Sequence, residues 1–118
     1  MPVPKVLIVE DDVIIAFGYV HALENQGYEI LGTAGSNEQA LKLLHECSPD
    51  VALLDVNLNG EESEPVASAL AKGGVPFLVL TATPSASITG SNLRSAPILA
   101  KPVSDVSLLQ ALQKISHV

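Results

Sequence analysis

The stretch VALLDVNLNG at residues 51–60 decides the fold, because its character changes in the middle. It begins as an unbroken apolar run, which is typical of a strand buried on both faces of a parallel sheet. The run stops at Asp55, and Asn57, Asn59 and Gly60 are residues that favour turns. A carboxylate in this place is either a turn residue or a reactive group, and the rest of the chain has to distinguish the two.

Other apolar runs predict further strands of the same sheet. They are KVLIV at 5–9, VPFLVLT at 75–81, PILA at 97–100 and the more polar YEILGTA at 28–34. Segments with helical spacing lie between these runs. Strand and helix alternate five times, which predicts a three-layer α/β domain with right-handed crossovers.

Capping residues predict where the first two helices begin and end. The first follows Asp12 and ends at Gly27, and the second opens with a capping box of Ser36 and Gln39 and ends before Pro49. Apolar spacing in the first helix predicts a buried face made of Val13, Ala16, Phe17, Val20 and Leu23.

The later helices are predicted by the same signals. Ser63 or Glu64 caps the third, which Gly73 and Gly74 close, and the last begins near Ser104. The residues that the last helix is expected to bury are Leu108, Leu109, Leu112 and Ile115.

The segment between the last two strands is unlike the rest. Residues 82–96 are rich in Ser, Thr and Gly, and only Ile88 and Leu93 are large and apolar. A fourth helix in this segment is therefore predicted to be short or mobile.

Composition limits the classes of function. The chain has 118 residues, 47% of them hydrophobic, which suits one domain over residues 1–118 with an aliphatic core. Its net charge of −7 argues against binding nucleic acid or an anionic membrane surface. Cys47 is the single cysteine, so no disulfide framework is expected. No run reaches the about 20 apolar residues of a spanning helix, and a cytoplasmic location is predicted.

Polar residues follow the predicted strands where each strand ends. Glu10 and Asp11 follow the first, Asp55 ends the third, Thr81 ends the fourth, and Lys101 follows the fifth. Ligands of such sheets bind outside the carboxyl ends of the strands, so these residues are predicted to share one site.

Clustered carboxylates repel one another and require a cation to stay ionised. Mg²⁺ prefers oxygen ligands and commonly works beside phosphate. Asp11 and Asp55 are the expected direct ligands, Glu10 holds a bound water, and the backbone carbonyl of Asn57 completes the set. Asp55 could then attack a phosphoryl donor and become an acyl phosphate. Lys101 would pair with Asp55 or with the phosphoryl oxygens.

The motifs together resemble those of a known family, the receiver domains of bacterial two-component response regulators. The matching pieces are VLIVEDD at 6–12, LLDVNLNG at 53–60, LTA at 80–82 and KP at 101–102. The resemblance covers nearly the whole chain. It implies a flavodoxin-like fold with a five-stranded parallel sheet in the order 2-1-3-4-5.

The resemblance also implies roles for single residues. Asp55 corresponds to the phosphoacceptor, Glu10 and Asp11 to the acidic pair, Thr81 to the signalling hydroxyl and Lys101 to the invariant lysine. A cis peptide is implied before Pro102. The phosphodonor would be a histidine kinase, and a downstream protein partner could bind the face formed by residues 82–116. Such a protein is a signalling switch, shuttle or phosphate sink rather than an enzyme.

Two departures from the family pattern bear on signalling. Ile98 stands where most receivers carry Tyr or Phe, and Asn59 stands where Pro is common. The expectation is therefore that phosphorylation draws Thr81 inward and orders residues 82–96, while Ile98 contributes packing. The stretch 55–70 looks closer to single-domain receivers that accompany HWE-type histidine kinases, although residues 79–82 share only the threonine of the Phe-Ala-Thr-Gly motif that many of those carry.

Simpler interpretations of the same residues stay open at this point. Asp55 could be a turn residue, Thr81 could merely satisfy its hydroxyl at the strand end, and Lys101 could be a surface lysine. Asp12 is interpreted as an N-cap rather than a ligand. A further group of polar residues is predicted to lie in solvent, namely Glu61, Glu62, Glu64, His21, His45 and His117.

Two other functions compete with that of a phosphoacceptor. A phosphatase of the haloacid dehalogenase type needs a second Asp two residues after the nucleophile, where this chain has Asn57. A pseudo-receiver would bind partners without being phosphorylated, which the complete set of site residues argues against.

Overall fold

The computed structural model describes residues 3–116 and contains a central parallel sheet. The elements in chain order are β1 (Lys5–Val9), α1 (Val13–Glu24), β2 (Glu29–Ala34), α2 (Asn37–Glu46), β3 (Val51–Asp55), β4 (Asn57–Leu58), β5 (Glu61–Glu62), α3 (Glu64–Lys72), β6 (Phe77–Thr81), a 3-10 turn (Ser85–Ser87), α4 (Ser91–Ser95), β7 (Ile98–Ala100) and α5 (Asp105–Ile115). The sheet order is β2-β1-β3-β6-β7. Without the two-residue strands β4 and β5, this is the predicted order 2-1-3-4-5.

Aliphatic side chains fill a core on each face of the sheet. Alternate residues of β1 point to opposite faces, so that Val6 and Ile8 pack toward α1 and α5, whereas Leu7 and Val9 pack toward α2 and α3. All five residues of β3 and of β6 are buried, as expected for central strands covered on both sides. The three-layer α/β prediction is confirmed.

Helix α1 begins as predicted but buries a different face. Asp12 Oδ1 accepts hydrogen bonds from the backbone N–H groups of Ile14 and Ile15, at 2.9 and 3.2 Å. Val13 and Phe17 were predicted to be buried, yet 80% and 72% of their surfaces are exposed. The residues that α1 does bury are Ala16, Tyr19, Ala22 and Leu23.

The error has a physical cause. The helix sequence VIIAFGYVHALE is apolar at most positions on every side, so spacing alone does not select a buried face. Contacts with the sheet and with α5 select it, and the surplus apolar side chains are left in solvent.

Caps of the other helices largely follow the sequence. Ser36 accepts from Gln39 N at 3.1 Å, although Gln39 Oε1 accepts from Gly35 N at 2.9 Å rather than from the N-cap itself. Ser104 accepts from Ser107 N at 3.1 Å and opens α5. In α5, Leu108 and Leu112 are buried, while Leu109 and Ile115 are partly buried.

The sequence analysis missed a hairpin between β3 and α3. Strands β4 and β5 pair antiparallel, with Leu58 opposite Glu61. Asn59 and Gly60 connect them with φ values of 54° and 91°. Positive φ at both residues matches the two-residue turn that Asn-Gly favours in hairpins. The turn prediction was right, and the pairing around it was overlooked.

Residues 82–96 form little regular structure, as predicted. Helix α4 has five residues, and Ile88 and Leu93 are 1% and 0% exposed, so they anchor the segment as expected. The short helix is confirmed, and its mobility stays a prediction. Across residues 3–116, no helix has the length and the apolar character needed to cross a membrane.

Candidate functional site

Three carboxylates meet at the carboxyl edge of the sheet. One side-chain oxygen each from Glu10, Asp11 and Asp55 lies within 4.8 Å of the other two. The sheet register explains this, because Val9 pairs with Leu54 and the residue after each is an acid. Glu10 and Asp55 are 4% and 6% exposed, and Asp11 is half-buried. Acidic side chains are seldom buried to this extent without a partner.

Lys101 supplies part of the opposite charge. Its Nζ lies 2.8 Å from Glu10 Oε2 and 3.2 Å from Asp55 Oδ2. The backbone N–H of Lys101 donates to the Thr81 carbonyl at 2.8 Å and continues the pairing of β6 and β7. One amine among three carboxylates leaves the cluster negative, and the lysine points into the site rather than along the surface.

Burial sets the ionisation of the cluster. Loss of solvent raises the pKa of Asp55 and of Glu10 above their ordinary values, although Lys101 acts in the opposite direction. Burial alone would lower the pKa of Lys101, but its hydrogen bond to Glu10 and the charge of Asp55 outweigh burial and raise it. Lys101 therefore stays charged, and an additional positive charge would favour ionisation of both acids.

The donor set fits a hard divalent cation. The three clustered acids offer only oxygen, which Mg²⁺ prefers over nitrogen or sulfur. Asn57, whose carbonyl was predicted to be a further ligand, is exposed at the start of β4, two residues after Asp55. Asp11 Oδ2 also accepts from Asn59 N at 2.9 Å, which ties the hairpin tip to the site.

Thr81 is buried at the end of β6, next to the strand that Lys101 follows. Its hydroxyl forms hydrogen bonds with Thr83, at 2.8 Å to Oγ1 and 3.0 Å from the backbone N–H. In this conformation the Thr81 hydroxyl has its hydrogen-bond partners within its own loop, which agrees with the simpler interpretation that it only satisfies its hydroxyl at the strand end. Its role toward a phosphoryl group stays a prediction.

Ile98 and Pro102, two residues of the predicted signalling face, lie in β7 and shortly after it. Ile98 is half-buried opposite Val79 and packs against the core cluster on the α2–α3 face. The peptide between Lys101 and Pro102 is cis, as the resemblance implied, and Pro102 is exposed.

Ser63 is a site residue that the sequence analysis did not identify. Its hydroxyl, on a side chain that is fully buried, donates to the backbone carbonyl of Asp55. Its backbone N–H donates to the Val56 carbonyl at 2.8 Å. Ser63 stands in the N-cap position of α3, but its hydroxyl makes no cap hydrogen bond and instead fixes the chain behind Asp55.

Two of the acids predicted to lie in solvent are partly exposed but also bind another segment of the chain. Glu62 and Glu64 accept hydrogen bonds from residues 89–93. The physical reason is the hairpin, which turns the chain back so that both carboxylates reach the next loop. Asn-Gly at 59–60 was the signal that could have revealed it. His21, His45 and Glu61 are exposed as predicted, whereas His117 lies outside the described residues.

The family comparison agrees with this geometry. The family model described as the response regulator receiver domain matches residues 6–113. The chain belongs to this family. The haloacid dehalogenase alternative is thereby set aside, since the match covers the acids Glu10, Asp11 and Asp55 together with Lys101.

Relatives of this receiver support the same assignment. The transcriptional regulatory protein PdtaR of Mycobacterium tuberculosis is 30% identical over 112 residues, which cover 92% of this chain and 55% of the relative. The chain thus spans about half the length of the curated relatives it matches first.

Solved structures give the same fold. The signal receiver domain of a modulated diguanylate cyclase from Desulfovibrio desulfuricans G20 superposes with a TM-score of 0.86 at 31% identity, covering 98% of this receiver and 95% of that chain. SdrG from Sphingomonas melonis Fr1 superposes with a TM-score of 0.83 at 36% identity, covering 98% of each chain. This receiver is therefore a component of two-component signalling.

Proposed function

We propose that this receiver accepts a phosphoryl group on Asp55 from the phosphohistidine of a histidine kinase. The observation that supports this most is the surroundings of Asp55, which is buried beside two acids with Lys101 Nζ at 3.2 Å from its Oδ2. A carboxylate held by an amine and placed beside a cation site has what a nucleophile in phosphoryl transfer requires.

In the proposed reaction, a carboxylate oxygen of Asp55 attacks the phosphorus atom of the phosphohistidine. A new P–O bond forms and the P–N bond breaks, so that the imidazole leaves with the bonding electron pair and takes up a proton from solvent. Lys101 orients Asp55 before the attack and afterwards lies beside the transferred oxygens. Thr81 exchanges its hydrogen bonds to Thr83 for one to a phosphoryl oxygen.

A divalent cation belongs to this proposal. Asp11 and Asp55 would hold Mg²⁺ directly, Glu10 would hold it through water, and the Asn57 carbonyl would complete the protein ligands. When bound, Mg²⁺ offsets the charge that gathers on the transferred oxygens and the carboxylates.

The exposed side of α1 is the proposed docking surface for the donor protein. Val13, Ile14 and Phe17 are 80%, 83% and 72% exposed, and they follow directly on the acidic residues of the site. A phosphohistidine reaches Asp55 only if its protein covers this edge of the sheet. Exposed apolar side chains beside a reactive group are typical of such an interface.

Downstream signalling is proposed to use the surface formed by residues 82–116. Phosphorylation would draw Thr81 toward Asp55 and order residues 82–96, changing the surface that residues 82–116 present to a protein partner. Ile98 would contribute packing there. The receiver would act in the cytoplasm, alongside a kinase of the HWE type, as a switch, shuttle or phosphate sink.

The first test is phosphorylation itself. The receiver is incubated with acetyl phosphate and Mg²⁺, and its mass is measured by intact-protein mass spectrometry. We expect one phosphoryl group on the wild type and on Asp105→Asn, and none on Asp55→Asn. A profile against candidate histidine kinases then identifies the donor.

An unchanged mass of the wild type with acetyl phosphate and with every kinase would contradict the proposal. Tight binding of a partner by that unphosphorylated receiver would instead support the pseudo-receiver alternative. Isothermal titration with Mg²⁺ separates the cation site from the reaction, because the cation should bind in the absence of any phosphodonor.

A further inference from the structure

Glu62 holds the loop in front of α4. Its carboxylate accepts three hydrogen bonds, from Thr89 N at 2.9 Å, from Thr89 Oγ1 at 3.0 Å and from Gly90 N at 2.9 Å. Bonds to an ionised acceptor are roughly twice as strong as neutral ones. Glu62 therefore binds a backbone segment that is 27 and 28 residues away in the chain.

Glu64 holds the first turn of the helix itself. Its carboxylate accepts from Asn92 N at 3.2 Å, from Asn92 Nδ2 at 2.8 Å and from Leu93 N at 3.1 Å. Gly90 makes room for it, because a Cβ on Gly90 would clash with Glu64 Oε1 and lie 2.8 Å from Glu64 Cβ. The backbone of residue 90 and the glutamate side chain are thus in close contact.

Helix α4 depends on these two acids. It has five residues, and Gly90 in its N-cap position provides no side-chain cap. So short a helix is not stable by its own hydrogen bonds, and the N–H groups of its first turn need acceptors from elsewhere. Glu62 and Glu64 provide acceptors for four backbone N–H groups of the 89–93 segment.

The tip of the same hairpin and the residue that follows β5 are bound to the phosphoacceptor site. Asn59 N donates to Asp11 Oδ2 at 2.9 Å, and Ser63, which follows β5, donates to the Asp55 carbonyl. Two-residue strands are too short to hold a shape by themselves. The position of the hairpin is therefore set by its contacts with the site and with residues 89 and 90.

We propose that the β4–β5 hairpin and the start of α3 that follows it transmit the state of Asp55, through Glu62 and Glu64, to the 89–93 segment. This inference rests on the proposed function, and it specifies which contacts connect Asp55 to residues 89–93. A rearrangement of the Asp11 side chain acts on the hairpin through Asn59, and a shift of the Asp55 main chain acts on it through Ser63. The hairpin in turn moves the acceptors on which α4 depends. The route needs no aromatic residue at position 98, where this chain has isoleucine.

The test is amide hydrogen exchange at 89–93, before and after treatment with acetyl phosphate and Mg²⁺, with phosphorylation measured separately by mass. The variant is Glu62→Ala/Glu64→Ala, and the control is Glu61→Ala, an exposed acid of the same hairpin. In wild type and control, phosphorylation should change exchange at these amides. In the double variant, exchange should be about fivefold to tenfold faster from the start, as for a lost N-cap, and should not respond to phosphorylation.

Gly90→Ala is a second variant that keeps both charges and displaces Glu64 by its methyl group. It should also weaken the response at 92 and 93, with circular dichroism verifying that each variant is folded. A double variant that gains the phosphoryl group and still responds like wild type at 89–93 would overturn the hairpin route alone. Failure of wild type to gain mass would overturn the proposed function, and the route with it.

Discussion

Helices α1 and α4 each follow a strand that ends near the acidic site, but they are held in different ways. Helix α1 has twelve residues and a cap, Asp12, from its own sequence. Helix α4 has five residues and takes its acceptors from Glu62 and Glu64, in another part of the chain. A helix whose N-cap lies in the adjoining residues does not depend on a distant segment for that cap. A helix capped by a distant segment is displaced or destabilised when that segment moves. Helix α1 is therefore suited to a fixed docking surface, and helix α4 to a change of structure on phosphorylation.

The largest expected difference between the two helices is in core packing. Leu23 in α1 and Leu93 in α4 are both 0% exposed, so they form a matched pair. Leu23→Ala should lower the free energy of unfolding by about 3 kcal/mol, within the usual range for a buried leucine, and Leu93→Ala by about 2 kcal/mol, because the loose segment can close over the cavity. Urea unfolding measures both. An equal loss would show that α4 is as firmly integrated as α1.

The second prediction concerns the exposed side of α1. Ile14→Ser/Phe17→Ser should reduce the rate of phosphotransfer from the identified kinase by about tenfold to a hundredfold, as for interface residues that contribute strongly. Phosphorylation by acetyl phosphate should stay unchanged, because the site itself is intact. The control is Val106→Ser, a residue on α5 that is 64% exposed. Equal transfer to variant and control would place the docking surface elsewhere.

The third prediction compares the two kinds of cap. Asp12→Ala should cost about 1 kcal/mol of unfolding free energy, the usual effect of removing an N-cap. Glu64→Ala should cost less globally and should instead accelerate amide exchange at Asn92 and Leu93, because only α4 opens. Unfolding curves and residue-level exchange, recorded on the same samples, separate the two. A global loss from Glu64→Ala as large as that from Asp12→Ala would remove the distinction.

The smallest expected effect is that of pH on the hairpin contact. Hydrogen bonds from the Thr89 backbone lower the pKa of Glu62 below that of an unfolded glutamate, about 4.3. The contact is therefore fully present above that pH and is lost as the pH falls through the lowered value. Its partners Thr89 and Gly90 do not ionise, and the nearest acid that binds the same segment is Glu64.

Exchange at residues 89 and 90 should accelerate at acidic pH, after correction for the intrinsic pH dependence of exchange. Glu62→Gln should show the accelerated exchange at all pH values. A wild type whose corrected exchange is the same on both sides of the transition would contradict the assignment.

Local patterns predicted much of the fold. The apolar runs at 5–9 and 51–55 are strands with the predicted bounds, and Asp12, Ser36 and Ser104 cap their helices. These predictions succeed because a buried strand or an N-cap is defined by a few consecutive residues. The gathering of acids at the carboxyl edge followed from sheet topology, in which parallel strands end on the same side.

Where prediction failed, the decisive contacts were distant in the chain. Phe17 was predicted to be buried from its helical spacing. The helix is apolar on every side, so that spacing did not identify the side that faces the core. Glu64 was predicted to lie in solvent because its hydrogen-bond partners are 28 and 29 residues further along the chain, where a local pattern does not reveal them. Ser63 carried no signal that its hydroxyl would bind the carbonyl of Asp55.

The sequence by itself determined which strands form the parallel sheet, where most helices start and which polar residues collect at the sheet edge, because each depends on short-range spacing and chain connectivity. The tertiary structure alone decided which side of α1 faces the core and what Glu62 and Glu64 bind. Both depend on packing and on hydrogen bonds between segments that meet only after the sheet has formed, and a pattern within one segment does not contain that information.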